Sequence, residues 1–334
     1  MVEPGLEHGG RLQAAARRYA IAEADWLDLS SGIAPWPWPL PAIPLRAWAR
    51  LPETEDGLET AARAFYGTPR LLPVAGSQAA IQLLPRLRPG GEVGVLSPCY
   101  AEHARAWRQA GHRVQELDEA QVEARLEHLD VLVLVNPNNP SGRLFSPAQL
   151  LDWHARLARR GAWLIVDEAF MDCTPDLSLA AFTERAGLIV LRSFGKFFGL
   201  AGARLGFVLA EAELLAQLAD QLGPWTLSGP ARWVGQVCLD DRAGQVRQRE
   251  RAAAASRRLS DLLERHGLTP DGGCTLFQWL RHERAADLQD FLARRGILLR
   301  LFSQPASLRF GLPPDETGWQ RLDAALQAYT QESP

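Results

Sequence analysis

Of the 36 Lys and Arg residues in this 334-residue chain, one is a lysine, Lys196. Arginine keeps its proton and cannot act as an amine nucleophile, whereas lysine can lose its proton and condense with a carbonyl to form an imine. A composition that uses Arg wherever only charge is needed has kept the amine where Arg would not serve; chance retention is the bland alternative. Lys196 stands in Ser193-Phe194-Gly195-Lys196, directly after the apolar run Leu188–Arg192, and Gly199-Leu200-Ala201-Gly202-Ala203-Arg204-Leu205-Gly206 follows. The planar guanidinium of Arg204 can grip a phosphate with two hydrogen bonds, and Ser193 can add a hydroxyl donor.

Three other polar clusters also follow apolar runs. Asp167-Glu168-Ala169-Phe170 ends the run Trp163–Val166. A carboxylate there can pair with a pyridinium nitrogen and keep it protonated, or simply cap the next helix. His103, three residues after Tyr100, can hydrogen-bond and orient Asp167, or be an ordinary satisfied histidine. Asn136-Pro137-Asn138-Asn139-Pro140-Ser141-Gly142 follows Val131–Val135. It reads either as a polar turn or as a loop in which Asn139 donates to a ring hydroxyl. Gly76-Ser77-Gln78 lies between Leu71–Ala75 and a helix start. Glycine allows close backbone approach and a helix start supplies free amides for a phosphate, although an N-capped turn has the same spelling.

These clusters need elements to position them. Apolar runs at Val93–Leu96, Val131–Val135, Trp163–Val166, Leu188–Arg192 and Leu205–Leu209 predict strands. Between them Gln78–Leu87, Glu102–Ala110, Pro147–Arg160 and Glu211–Leu222 predict helices. Apolar strands separated by helices imply an α/β fold: a mostly parallel central sheet covered by helices, with ligands at the strands' carboxyl ends. Leu12–Ala24 and Gly229–His266 read as helices, and a strand–helix–strand–strand–helix series from Thr275 to Tyr329 reads as a small α+β domain. The expected division is a large domain over 28–225 and a small one made of 1–27 and 226–334. Residues 28–56, rich in Pro and Trp, read as an extended arm.

Composition narrows the function classes. Hydrophobic residues make up 47% and charged residues 22%, as in soluble enzymes. The net charge of −3 gives no basic field for nucleic acid. Glu3, Glu7, His8 and Arg11 break any secretory apolar run, and no stretch has the length of a membrane span, so a cytoplasmic location is expected. Cys99, Cys173, Cys238 and Cys274 lack metal-ligand or disulfide spacing, so neither is expected.

The order phosphate turn, Asn, Asp, Lys, Arg resembles that of the fold-type I pyridoxal-phosphate (PLP) enzymes, and within them the histidinol-phosphate aminotransferase branch. The resemblance covers nearly the whole chain. It implies that Lys196 is the Schiff-base lysine, Asp167 the pyridine-nitrogen partner and Asn139 the O3′ partner. It further implies that Gly76, Ser77, Gln78, Ser193 and Arg204 hold the cofactor phosphate and that Tyr100 stacks on the ring. Arg309, in Ser307-Leu308-Arg309-Phe310-Gly311, matches the arginine that meets the substrate carboxylate.

The N-terminus carries a narrower resemblance. His8-Gly9-Gly10, Ala14-Ala15-Ala16-Arg17-Arg18-Tyr19 and Asp28-Leu29-Ser30-Ser31-Gly32-Ile33 are similar to the threonine-phosphate decarboxylase family of cobalamin biosynthesis. That likeness implies decarboxylation of O-phospho-L-threonine to (R)-1-aminopropan-2-ol O-phosphate, with His8, Gly9, Arg300 and Arg309 binding the substrate. It also implies a homodimer. The family commonly has Asn where Gly32 stands, so that substrate contact is lost or made by backbone. Phe170 replaces a Tyr, and Leu51 aligns near a Tyr that reaches the partner subunit in the aminotransferases. An aminotransferase using the same residue types is the rival enzyme, and a non-catalytic PLP-binding module the rival of another class.

Overall fold

The computed structural model describes residues 9–332. His8, expected to touch substrate, lies outside the described residues. The chain divides into two compact units. The larger comprises Pro37–Asn139 and Leu144–Arg247. The smaller comprises the described residues through Trp36, Pro140–Arg143 and those from Gln248 onward.

In the larger unit seven strands form one sheet in the order Leu72–Val74, Gly206–Leu209, Leu188–Ser193, Trp163–Asp167, Val131–Val135, Glu92–Leu96, Arg113–Leu117. All neighbours pair parallel except Gly206–Leu209, which runs antiparallel to both of its partners. Every residue of Val131–Val135 is buried, the mark of a strand covered on both faces. Successive side chains point to opposite faces. Leu132, Leu134, Leu164, Val166, Leu188 and Val190 therefore enter one core, with Tyr66 and Leu179. Val131, Val133, Ile165, Ile189 and Leu191 enter the other, where Cys99 and Tyr100 pack. This alternation decides which way each polar residue at a strand end points.

In the smaller unit four antiparallel strands take the order Arg300–Ser303, Ala306–Gly311, Phe277–Arg281, Gly272–Cys274. Leu27–Asp28 pairs in parallel with Ile297–Leu298. Helices Leu12–Tyr19, Ala285–Ala293 and Glu316–Glu332 also belong to it, as does helix Arg242–Arg265 from Gln248 onward.

The expected division at 27/28 and 225/226 is corrected at both ends. Residues 28–36 go with the smaller unit because Asp28 stands opposite Leu298 in the parallel pair, the Leu29 amide donates to the Leu298 carbonyl, and the Trp36 indole donates to the Pro314 carbonyl at 2.7 Å. Residues 226–247 stay with the larger unit because helix Gly229–Asp240 places Val234, Cys238 and Leu239 in its core. Buried Arg232 also binds the carboxylates of Asp56 and Glu59. Pro140–Arg143 joins the smaller unit, where the Ser141 carbonyl lies so close to Gly272 that a Cβ there would stand 2.3 Å from it.

The single helix expected over Gly229–His266 is two, Gly229–Asp240 and Arg242–Arg265. Asp241 leaves helical geometry, at φ −82° and ψ 75°, and its carboxylate caps the second helix by accepting from the Gly244 amide at 2.8 Å. The first helix ends at Tyr19 rather than Ala24, with Ala20 left-handed at φ 54°. The proline-rich arm contains a short helix, Leu45–Ala49, which begins as soon as Pro44 supplies its last fixed φ. No helix among the described residues is long and apolar enough to cross a membrane.

Candidate active site

The carboxyl ends of Trp163–Asp167 and Leu188–Ser193 carry two polar pairs, and the sheet's alternation splits each pair between its faces. Asp167 and Ser193 follow Ile165 and Leu191 onto the face where Cys99 and Tyr100 pack. Glu168 and Arg192 follow Val166 and Val190 onto the face of Tyr66 and Leu179.

On the first face Asp167 is 3% exposed. Its Oδ2 lies 2.9 Å from His103 Nε2, and its Oδ1 accepts from the Ala169 amide at 3.1 Å. Helix Glu102–Gln109 holds the histidine, itself buried. The carboxylate is thus fixed before any ligand arrives. The Tyr100 ring stands edge-on to His103, with centroids 6.1 Å apart, and its hydroxyl donates to Gln78 Oε1 at 3.1 Å. Burial, then the charges of Glu102 and Asp167, push the Tyr100 hydroxyl up to about 12. It therefore stays protonated and neutral at physiological pH.

The turn Gly76-Ser77-Gln78 meets the residue that the sequence paired with it. Gly76 has φ +74°, and a Cβ there would stand 2.6 Å from Arg204 Nη2. Arg204 is itself left-handed, at φ 51° and ψ 50°, and its Nη1 donates to the Ala201 carbonyl at 3.1 Å. A non-glycine in that region costs roughly 1–2 kcal/mol, and such strain gathers at functional sites. An exposed guanidinium laid across a glycine turn has the chemistry to grip a phosphate with two hydrogen bonds.

Lys196 follows Ser193 within the short helix Phe194–Phe197 and is half-buried. Its Nζ lies 5.4 Å from the Phe170 ring centroid. The position expected to carry a tyrosine hydroxyl thus gives the amine an aromatic face instead. The asparagine loop sorts itself by hydrogen bonding. Asn136 exchanges two bonds with the Phe145 backbone, and Asn138 donates to the Pro98 carbonyl at 2.8 Å. Those two shape the loop, and Asn139 is the half-buried member. The guanidinium over the glycine turn, the buried carboxylate and the lone amine together fit pyridoxal phosphate.

The opposite face holds what sequence reasoning missed. Arg192 is 1% exposed and binds both Glu168 and Asp172. Its guanidinium stacks 4.7 Å over the Tyr66 ring. Glu168 also accepts from the Leu179 amide at 2.7 Å and from the Ser178 hydroxyl. Burial raises the Glu168 carboxyl, and the charge of Arg192 pulls it back. The network ties the two strand ends that carry Asp167 and Ser193. A charged residue inside the run Leu188–Arg192 was the available signal.

In the smaller unit the structure brings together Gly9, Ser30 and Arg309. Arg309 is 6% exposed and donates to the Ser30 carbonyl at 2.7 Å. Gly32 is buried in the next loop. Arg300 and Arg309 are direct partners across antiparallel strands, so both side chains leave the same face. Like charges so placed repel. Burial, with Arg300 adding to it, lowers Arg309 to about 10, which leaves it a cation at neutral pH. Two guanidiniums on one face suit an anionic ligand.

A seven-stranded, mostly parallel sheet with an amine, a carboxylate and a guanidinium over a glycine turn at its strand ends defines a fold-type I PLP enzyme. The chain belongs to the aminotransferase class I and II family, whose model matches residues 46–326. It is 69% identical over 326 residues to the threonine-phosphate decarboxylase of Pseudomonas aeruginosa, covering 98% of each chain. It is 47% identical over 330 residues to the threonine-phosphate decarboxylase of a Sinorhizobium species, covering 96% of this chain and 97% of the other. Its fold matches the crystal structure of L-threonine-O-3-phosphate decarboxylase from Porphyromonas gingivalis with a TM-score of 0.78. At 21% identity, over 91% of this chain and 99% of that one, this last likeness shows the fold alone.

Proposed function

We propose that this chain decarboxylates O-phospho-L-threonine to (R)-1-aminopropan-2-ol O-phosphate, using pyridoxal phosphate tethered by Lys196. The observation that carries the reading is the cross-strand pair Arg300 and Arg309. It gives two cations to a substrate that bears both a carboxylate and a phosphate. The decarboxylases named above, similar over almost the whole chain, point to the same substrate.

Each residue has a task. Arg309 holds the substrate carboxylate, while Arg300, with His8 and Gly9 of the N-terminal segment, holds the phosphate. Asn139 orients the ring hydroxyl and the substrate beside it. Gly76, Ser77, Gln78, Ser193 and Arg204 hold the cofactor phosphate, and Tyr100 covers the ring. Asp167, aimed by His103, keeps a proton on the ring nitrogen. When bound, the cofactor draws off the electron pair left at Cα as CO₂ departs. Lys196 supplies the tethering amine and returns a proton to Cα. An aminotransferase would use the same lysine to remove the Cα proton.

The test is incubation of the holoenzyme with O-phospho-L-threonine and no keto acid. Stoichiometric CO₂ and aminopropanol phosphate are expected. Amine transfer that requires a keto acid, without CO₂, would replace this reading with the aminotransferase one.

We propose further that the working form is a homodimer. Leu45, Trp48 and Leu51 are 80%, 65% and 64% exposed and recur every three residues along the arm. Such a patch marks a protein–protein surface. Light scattering should give twice the mass of 36.9 kDa, and Trp48→Asp should shift the wild-type species toward monomer. A wild-type monomer at micromolar concentration would rule this out.

A further inference from the structure

Ser30 is 1% exposed and stands where three parts of the smaller unit meet. Its backbone is fixed by its neighbour: the Leu29 amide donates to the Leu298 carbonyl at 2.9 Å, and the Gly311 amide donates to the Leu29 carbonyl at 2.8 Å. Its amide and hydroxyl both donate to Asp28 Oδ1, at 2.9 and 2.6 Å. This Asp-x-Ser turn commits the hydroxyl proton to the carboxylate and leaves an oxygen lone pair to face elsewhere. That lone pair accepts from the Gly10 amide at 2.8 Å. The Ser30 carbonyl, in turn, accepts from Arg309 Nη2 at 2.7 Å. Gly9 is pressed onto the same carbonyl: a Cβ there would stand 2.4 Å from Ser30 O and 3.6 Å from Arg309 Nη2.

We propose that Ser30, anchored by Asp28, is a positioning residue that fastens the Gly9–Gly10 segment to Arg309, so that the N-terminal segment and the carboxylate-binding arginine present themselves to substrate as one preorganised piece. The inference rests on the reading that both of these bind the phosphorylated amino acid. One serine reaches both partners, the segment through its hydroxyl and the arginine through its carbonyl. Replacing its side chain should free the segment and leave the arginine's acceptor in place. Its removal should therefore weaken capture of the substrate more than it slows the chemistry, because the cost is the ordering of a loosened segment at binding.

The experiment compares full-length holoenzyme with Ser30→Ala and Ser30→Thr. For O-phospho-L-threonine, Ser30→Ala should raise KM roughly fivefold, the size of one lost neutral hydrogen bond, while kcat falls by less than KM rises. Ser30→Thr, which keeps the hydroxyl, should restore most of the loss. Hydrogen exchange of the Gly10 amide should quicken in Ser30→Ala alone. Gly9→Ala, which displaces the same segment, should raise KM by itself, and Ser30→Ala added to it should do little more. Unchanged exchange at Gly10, unchanged KM, or full additivity with Gly9→Ala would each overturn the proposal. If the wild-type protein released no CO₂ at all, the function reading would fall, and the exchange measurement would still decide whether the serine holds the segment.

Discussion

Lys196→Arg is expected to bind pyridoxal phosphate without the visible absorbance of the tethered cofactor, and to release CO₂ about 10⁴-fold more slowly or not at all. A guanidinium keeps the charge but has no amine free to condense with an aldehyde. The loss combines the covalent tether with a proton-transfer group, and the latter alone contributes up to about 10⁴-fold. The fold should survive. Lys196 itself is only half-buried, with its amine over the Phe170 ring, so the longer arginine stem can turn toward solvent. Far-ultraviolet circular dichroism and the thermal midpoint, measured beside activity, separate a dead site from an unfolded protein. Visible absorbance and undiminished turnover in Lys196→Arg would remove the basis of the proposed chemistry.

Asp167→Asn is expected to lower kcat by roughly 10²–10³-fold, the range seen when one preorganised electrostatic partner of a developing charge is removed. Asparagine fills the same space and can keep a bond to the Ala169 amide, so the effect isolates charge rather than shape. A neutral amide no longer holds a proton on the ring nitrogen, and the ring becomes a poorer acceptor of electrons. His103→Phe should cost less, about tenfold, because it leaves the charge and removes only the partner 2.9 Å away that aims it. Equal losses in the two variants would mean that the histidine, not the carboxylate, meets the ring. The measurement is kcat for CO₂ release at saturating cofactor, with the cofactor's absorbance read in parallel.

Much of the larger unit was legible because its central strands are runs of apolar residues. Val131–Val135 matches its expected bounds, and Trp163–Asp167 and Leu188–Ser193 each extend one residue further, onto Asp167 and Ser193. Arg113–Leu117 escaped notice because it is an edge strand: its pattern Arg-Val-Gln-Glu-Leu is half-exposed and lacks an apolar run. The unit boundaries escaped for another reason. They depend on partners distant in sequence, Leu298 for residues 28–29 and Asp56 for Arg232, which local patterns do not contain.

The site divides along the same line. Lys196 and Asp167 stood out because reactive types followed apolar runs, and Arg204 because it sits in the glycine-rich stretch just beyond the lysine. Glu168, next to Asp167, and Arg192, next to Ser193, were given no role, since only the pleat reveals that they meet each other, with Asp172 and Tyr66, behind the sheet. Asp28 and Ser30 look like any polar turn until the returning strand Ala306–Gly311 brings Arg309 to the serine's carbonyl.

The split of Asp167 from Glu168 and of Ser193 from Arg192 limits how this stretch of chain can evolve. Because neighbouring side chains face opposite ways, the insertion or deletion of one residue within Trp163–Asp167 would send the Asp167 carboxylate away from His103 into the ion network, and its neighbour the reverse way. Both assemblies would fail at once, however conservative the new sequence. Relatives can therefore be expected to exchange side chains freely along these two strands while never altering their residue count, and the spacing from Trp163 to Phe170 becomes a more reliable diagnostic of this chemistry than any single letter in it.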